Sequence, residues 1–328
     1  MLSDAITGFE LLQPTTVEGA IDLLDRYGPE AWVLAGGYDS LDWFKDRVKQ
    51  PTVVIDLEGI TELRGIRSVS GGIEIGAMTT LTALERSEAL RSRFSLLAEA
   101  AANVASPQIR HAASIGGNVA QDTRCWYYRY GVDCYRAGGN TCYAAAPEAM
   151  NREHAVFGAS RCVAVSPSDT APALVALDAE MVIRNARGER TIAAADFFMP
   201  PSIDIQRMTI LEPGDLLTTI RLPETWASAD FYFEKVADRQ SWDFALASIA
   251  AAFRMDGPTI AEARIVGGAV QCVPRRFARV ERMLRGESRT AAIAEQAGTL
   301  ATRGAEPLNR NEYKVVLVEN LVKRAVLG

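Results

Sequence analysis

Apolar and polar positions change period repeatedly along this chain, and the changes predict alternating helices and strands. Val17, Ala20, Ile21 and Leu24 fall at the spacing of one helix face, behind a capping-box pair Thr15 and Glu18, and Gly28-Pro29 ends the helix. Ala31 to Ala35 is a short apolar run closed by Gly36-Gly37; Leu41, Phe44 and Val48 return to helical spacing, and Thr52 to Ile55 reads as a buried strand. Ile73-Glu74-Ile75 predicts another strand, and Thr79 to Leu90 and Leu96 to Ala105 predict helices. A second glycine pair follows in Ser114-Ile115-Gly116-Gly117-Asn118. Residues 121–162 then show no steady period, although Trp126, Tyr127, Tyr128 and Tyr130 make the stretch too aromatic for a disordered tract. Beyond it, Cys162 to Val165 and Met181 to Asn185 predict strands around a helix starting near Asp169, and Leu211 to Leu217 a turn feeding a strand that ends at Leu222-Pro223. The last hundred residues read as a strand, a helix-like Phe244 to Phe253, a strand Ala261 to Val270, and helices at 277–285 and 309–326. Together these elements predict an α+β fold. The segment Glu224 to Ala229 divides a domain 1–226, with subdomains of about 1–60 and 61–226, from a domain 227–328.

Charge narrows the choice of partner. Across 328 residues, 35 basic against 41 acidic side chains leave a net charge of −6 with no concentrated basic run, which argues against nucleic acid. No apolar run approaches the ~18 residues of a membrane span, and MLSDAITGFELLQPTT has neither a basic start nor an apolar signal core. The expectation is a cytoplasmic protein, with co-export on a partner's signal into the periplasm as the alternative.

Cysteine usage changes the picture most. Four of the five cysteines, Cys125, Cys134, Cys142 and Cys162, lie in the aperiodic stretch, and Cys272 beside an apolar strand reads as a small core residue. Clustered thiols without a secretory signal point to metal coordination rather than disulfides. Zinc sites are usually built on close C-x2–4-C pairs, whereas eight, seven and nineteen residues intervene here; iron–sulfur clusters accept longer spacings. Spacing therefore leans towards a 4Fe–4S cluster and leaves zinc open. His154 reads as a hydrogen-bonding residue rather than a ligand.

Five Gly-Gly pairs occur where composition gives about two by chance. Those at 71 and 267 read as turns or close approaches of strands. Ala35-Gly36-Gly37-Tyr38-Asp39 and Ser114-Ile115-Gly116-Gly117-Asn118 each follow an apolar run, so each could present free backbone N–H groups to a phosphate. Neither is a GxGxxG fingerprint nor a P-loop.

These blocks, with Ile109-Arg110, Ser168-Asp169-Thr170-Ala171-Pro172-Ala173-Leu174, Leu211-Glu-Pro-Gly214, Lys235 with Arg239, Asp243 and Ala245, and Gly267-Gly268 with Pro274 and Arg276, resemble the medium, FAD-binding subunit of the xanthine dehydrogenase and molybdenum hydroxylase family. The cysteine loop resembles the branch with an extra 4Fe–4S cluster, found in periplasmic aldehyde oxidoreductase and 4-hydroxybenzoyl-CoA reductase. The resemblance implies a two-subdomain PCMH-type FAD-binding domain followed by a CO dehydrogenase flavoprotein-like C-terminal domain. It implies FAD contacts at Ala35, Gly36, Gly37, Tyr38, Asp39, Ser40, Ser114, Gly116, Gly117, Asn118, Asp169, Leu217 and Lys235, and cluster ligands at Cys125, Cys134, Cys142 and Cys162. Tyr38 and Ser40 depart from the usual Thr and Leu, and a bulky phenol cannot make the same short hydroxyl contact. Trp126, Tyr127 and Tyr128 would screen the cluster or pack the loop, and Arg124, Arg129 and Arg136 would offset its charge. Molybdopterin and 2Fe–2S centres would then sit on a large and a small partner subunit, and this chain would relay electrons without catalytic residues of its own. A stand-alone FAD oxidoreductase and a zinc-stabilised protein-binding module are the competing readings.

Overall fold

A computed structural model describes residues 6–328. Residues 1–5, part of the stretch read above for a signal, lie outside the described residues. The first unit carries β1 (Glu10–Leu12), α1 (Val17–Tyr27), β2 (Ala31–Leu34), α2 (Ser40–Lys45) and β3 (Val53–Asp56). Its three strands are parallel in the order β1-β3-β2. The apolar face of α1 buries Val17, Ala20, Ile21 and Leu24 against Val53, Ile55 and Ile60, as the periodicity predicts. The cap is one residue later than expected. Thr16, not Thr15, accepts from the Gly19 amide, and the Val17 amide is taken by Glu62.

The second unit contains β4 (Ile66–Val69), β5 (Gly72–Gly76), α3 (Leu81–Arg86), α4 (Glu88–Arg93), α5 (Ser95–Ala102), α6 (Pro107–Ala112), α7 (Ile115–Ala120), α8 (Trp126–Arg129), α9 (Thr170–Ala176), β6 (Glu180–Asn185), β7 (Gly188–Ala193), α10 (Ala194–Phe197) and β8 (Leu216–Pro223). Its strands form an antiparallel sheet in the order β4-β5-β8-β6-β7, covered by helices on the apolar face. The helix expected over 79–90 breaks at Ser87, whose hydroxyl caps α4 by accepting from Leu90 N. The strand expected at Cys162–Val165 does not form; this segment meets single backbone groups, such as Ala155 N on Val163 O. The stretch 121–162 is irregular apart from α8 and two short 3₁₀ turns.

The C-terminal unit has β9 (Asp230–Val236), β10 (Ala247–Asp256), β11 (Thr259–Gly268), β12 (Arg275–Arg276), α11 (Ala278–Leu284), α12 (Ala291–Ala301) and α13 (Tyr313–Leu327). The antiparallel order is β12-β11-β10-β9. The helix-like segment Phe244–Phe253 is mostly strand β10. Its Ala247, Ile249, Ala251 and Phe253 face the C-terminal core while Ala250 and Ala252 face the second unit's core, so both faces are apolar and the two-residue alternation is erased from the sequence. The alanine-rich α12 had no sequence counterpart for a different reason: Ala294, Ala297 and Ala301 pack against α13 through small side chains that give little contrast. Among the described residues no helix is long and apolar enough to cross a membrane.

Candidate functional site

The two glycine loops meet. A cleft of about 660 Å³ runs between the first two units and is lined by Ala35, Gly36, Gly37, Tyr38, Asp39 and Ser40 from one side, Ser114, Gly117 and Asn118 from the other, and Asp169 at one end. Gly36 can be no other residue, since a Cβ there would stand 2.3 Å from the Ala112 carbonyl oxygen just before Ser114. Gly37 has φ +81°, a left-handed turn that redirects the chain into α2. Among the described residues, no backbone amide from Gly36 to Ser40 donates to another group of the chain, so five N–H groups are left for a ligand.

The second loop is not a strand-to-glycine turn, as the sequence had suggested. It is the start of α7, N-capped by the Ser114 hydroxyl, which accepts from Gly117 N. The amides of Ile115, Gly116 and Asn118 are also consumed, by Thr79 O, Ala77 O and Ser114 O. Gly116 is required by packing, because a Cβ would lie 2.8 Å from Ala77 O, and it does not line the cleft.

Asn118 is buried, and its Oδ1 accepts from Ser168 Oγ at 2.7 Å and Thr170 Oγ1 at 2.6 Å. That clamp fixes Asp169 between them. Asp169 Oδ2 takes Lys235 Nζ at 2.6 Å, and the same ammonium donates to Asn103 O and Asp243 O. Burial pushes the Asp169 carboxyl up, against the opposing pull of Lys235. Lys235 thus stands behind Asp169 rather than in the cleft wall. Leu217 is buried in β8 within the apolar core and lines neither the cleft nor its neighbour, so the structure separates it from the other predicted flavin contacts. Trp242 and Phe244, from the loop before β10, close the Asp169 end of the cleft and were missed in the sequence. Only the positive φ of Trp242 sets that turn apart, and composition does not reveal it.

Next to this end lies a second cavity of about 620 Å³, shared by Asp169, Trp242 and Phe244 and extending to Cys125 and His154. Behind it the four clustered cysteines converge. Cys125, Cys134, Cys142 and Cys162 line one small cavity together with Tyr127, Tyr128 and Tyr143, and none is in a disulfide. Burial pushes the Cys125 thiol up to about 12. His154, read as a polar hydrogen-bonding residue, is buried with Nε2 3.2 Å from Cys125 Sγ. Burial and the nearby Lys314 charge bring it down to about 4, leaving a neutral imidazole. Among the described residues no three Cys, His, Asp or Glu side chains are grouped to hold a single metal ion. Cys272 is buried outside the thiol cavity, in contact with Arg136 and Met208, as a core residue should be.

The profile for the FAD binding domain in molybdopterin dehydrogenase matches residues 7–225. The chain belongs to this family. A second profile, the CO dehydrogenase flavoprotein C-terminal domain, matches residues 232–328. Among family relatives, the aldehyde oxidoreductase FAD-binding subunit PaoB of Escherichia coli (strain K12) is 34% identical over 295 residues, 89% of each chain. The carbon monoxide dehydrogenase medium chain of Hydrogenophaga pseudoflava is 30% identical, covering 97% of this chain and 96% of that one. The fold agrees as well: the solved carbon monoxide dehydrogenase from Hydrogenophaga pseudoflava that lacks the Mo-pyranopterin moiety superimposes with a TM-score of 0.78 at 29% identity, covering 98% and 97% of the two chains.

Proposed function

We propose that this chain is the FAD-carrying, electron-relaying medium subunit of a heteromeric molybdenum oxidoreductase, and that Cys125, Cys134, Cys142 and Cys162 hold a 4Fe–4S cluster. A large molybdopterin subunit and a small 2Fe–2S subunit complete the complex, and the large one binds the substrate, an aldehyde, N-heterocycle or aromatic acyl-CoA. The observation that carries the reading is the row of amides from Gly36 to Ser40, free of chain partners, in a cleft that leads past Asp169 towards four convergent, unbridged thiols. Those amides suit a pyrophosphate without side-chain help, which fits a loop whose Tyr38 is exposed. Asp169, held by Lys235 and the Asn118 clamp, offers a rigid acceptor for hydroxyl groups further along the ligand. Bound FAD supplies one- and two-electron transfer, and the residues here supply orientation, charge and burial.

The thiol geometry supports iron–sulfur over zinc. Zinc gathers its donors about one point at 2.0–2.3 Å, while a cubane takes four thiolates around a volume. Four cysteines lining one cavity, with no close pair among them in the chain, suit the second arrangement. The test is to purify the full chain anaerobically, record its visible spectrum before and after dithionite, and assay iron, acid-labile sulfide and zinc. Bleachable flavin and iron–sulfur absorption with four irons per chain is the expected result; a colourless chain with stoichiometric zinc overturns it. Cys134→Ser should lose the iron and still bind FAD.

A further inference from the structure

The cysteine segment reaches back to the first glycine loop. Asp39, which leads from Gly36-Gly37 into α2, has both carboxylate oxygens filled by the chain. Its Oδ1 takes Arg129 Nη2 at 2.6 Å and Arg124 Nη2 at 3.2 Å, and its Oδ2 takes Trp43 Nε1 at 3.2 Å and the Asp122 amide at 3.3 Å. Arg124 precedes Cys125, and Arg129 lies one helical turn beyond it in α8. The Arg129 guanidinium covers the Trp43 ring at 3.5 Å and also donates to the carbonyls of Asp122 and Thr123.

A second arm leaves the thiols at Cys134. Two residues on, Arg136 is 1% exposed in its side chain and stands 3.6 Å from Asp122 Oδ1, while Tyr128 donates to Asp122 Oδ2. Cys134 itself packs in one apolar cluster with Trp43, Phe44 and Tyr128. The carboxylate read from sequence as a flavin contact is therefore a socket into which the cysteine segment plugs. Residues 121–162 contain no strand, one four-residue helix and two 3₁₀ turns; the later part is tied to the C-terminal unit through Asn151, Glu153 and His154, whereas the part from Asp122 to Arg136, which carries Cys125 and Cys134, meets the first unit through Asp39 and Trp43.

We infer that the cysteine segment and the flavin-phosphate loop form one thermodynamic unit, with Arg129 on Asp39 as the positioning contact. Coordination at Cys125 and Cys134 fixes Arg124, Arg129 and Asp122, these fix Asp39, and Asp39 sets the orientation of the amides from Gly36 to Ser40. Loading the cluster tightens FAD, and FAD protects the cluster by the same factor, since coupling between two binding events is reciprocal. The inference rests on the function proposed above, in which the thiols carry iron and the first loop carries the FAD phosphates.

The experiment uses the full chain in four states: wild type and Arg129→Gln, each cluster-loaded and stripped anaerobically with an iron chelator. FAD affinity is read from quenching of flavin fluorescence. Stripping the wild type should weaken FAD about 10-fold, within the usual span of coupling between sites. Arg129→Gln should weaken FAD about as much while loaded and show almost no further loss when stripped, because both changes break one path. In the reciprocal arm, which needs no variant, wild type is equilibrated anaerobically with iron and sulfide held at fixed concentrations against an iron chelator, and FAD should raise the chelator concentration at which half the cluster is lost by the same factor. Equal FAD affinity for loaded and stripped wild type, or additive losses in Arg129→Gln, overturns the inference. A loaded wild type that binds no FAD sinks the flavin reading, and a chain that binds FAD but never takes up iron sinks the cluster reading; either result takes this inference with it.

Discussion

The two glycine loops look alike as text and do different work. Ala35-Gly36-Gly37-Tyr38-Asp39 keeps its amides free of the chain and faces the cleft; Ser114-Ile115-Gly116-Gly117-Asn118 spends its amides on Thr79, Ala77 and Ser114 and turns one glycine into the core. The first loop leaves its backbone open to the cleft. The second lines the cleft with Ser114, Gly117 and Asn118, and through Asn118 it holds the Ser168–Thr170 block that carries Asp169. Adjacent glycines therefore do not distinguish a backbone left open from a backbone brought close, because both demand the absence of a side chain.

Substitutions separate the two roles. The largest effect is expected from Gly36→Ala, whose new methyl meets the Ala112 carbonyl at 2.3 Å and must push the first loop out of place; the purified variant should retain no flavin, measured as flavin released per chain on denaturation. Lys235→Met comes next. It leaves Asp169 buried without its partner, and losing one member of a buried pair costs about 3–5 kcal/mol, readable by urea unfolding. With the ammonium gone, burial and the Asp243 charge act together on Asp169 and hold its folded pKa above the unfolded one, so the folded state binds the extra proton. The stability of Lys235→Met should therefore be greatest below the ordinary carboxylate pKa and fall as pH rises through the raised one.

Asn118→Ala is expected to cost about 1–3 kcal/mol, since the hydroxyls of Ser168 and Thr170 lose a buried acceptor. Its unfolding midpoint should drop further than its flavin affinity, the reverse of Gly36→Ala. The smallest effect belongs to Gly117→Ala, where the nearest atom is the Ser114 hydroxyl at 3.1 Å and a small side-chain adjustment suffices; a change within about 0.5 kcal/mol in stability is expected. A large flavin loss in Gly117→Ala with its stability intact would reverse the assignment of the two loops.

Much of the frame is legible in the sequence where one face is buried and the other is wet. α1 announces itself through Val17, Ala20, Ile21 and Leu24, and β6 and β8 through their short apolar runs. Legibility fails where both faces are apolar, as in β10, or where small residues pack without contrast, as in α12. At the site, the sequence singles out the first glycine loop, Asp169 and the cysteine cluster, and the structure brings these around adjoining cavities. Pairing is what spacing along the chain cannot convey. Asp39 and Arg129 are ninety positions apart, Asp169 and Lys235 sixty-six, and only the folded chain shows that one carboxylate is filled by a loop arginine and the other backed by a lysine. Leu217 shows the converse, a residue near a matching motif whose side chain is buried in the core.

The most direct test of the division between the loops is the ratio of affinities for FAD and for riboflavin, which lacks the phosphates, measured by titration calorimetry on wild type and Gly36→Ala. Wild type should prefer FAD by about 100-fold or more, the value of several charge-assisted hydrogen bonds to backbone N–H groups, and Gly36→Ala should lose most of that preference. Gly36→Ala weakening both ligands by the same factor, with the preference for FAD preserved, would contradict that division.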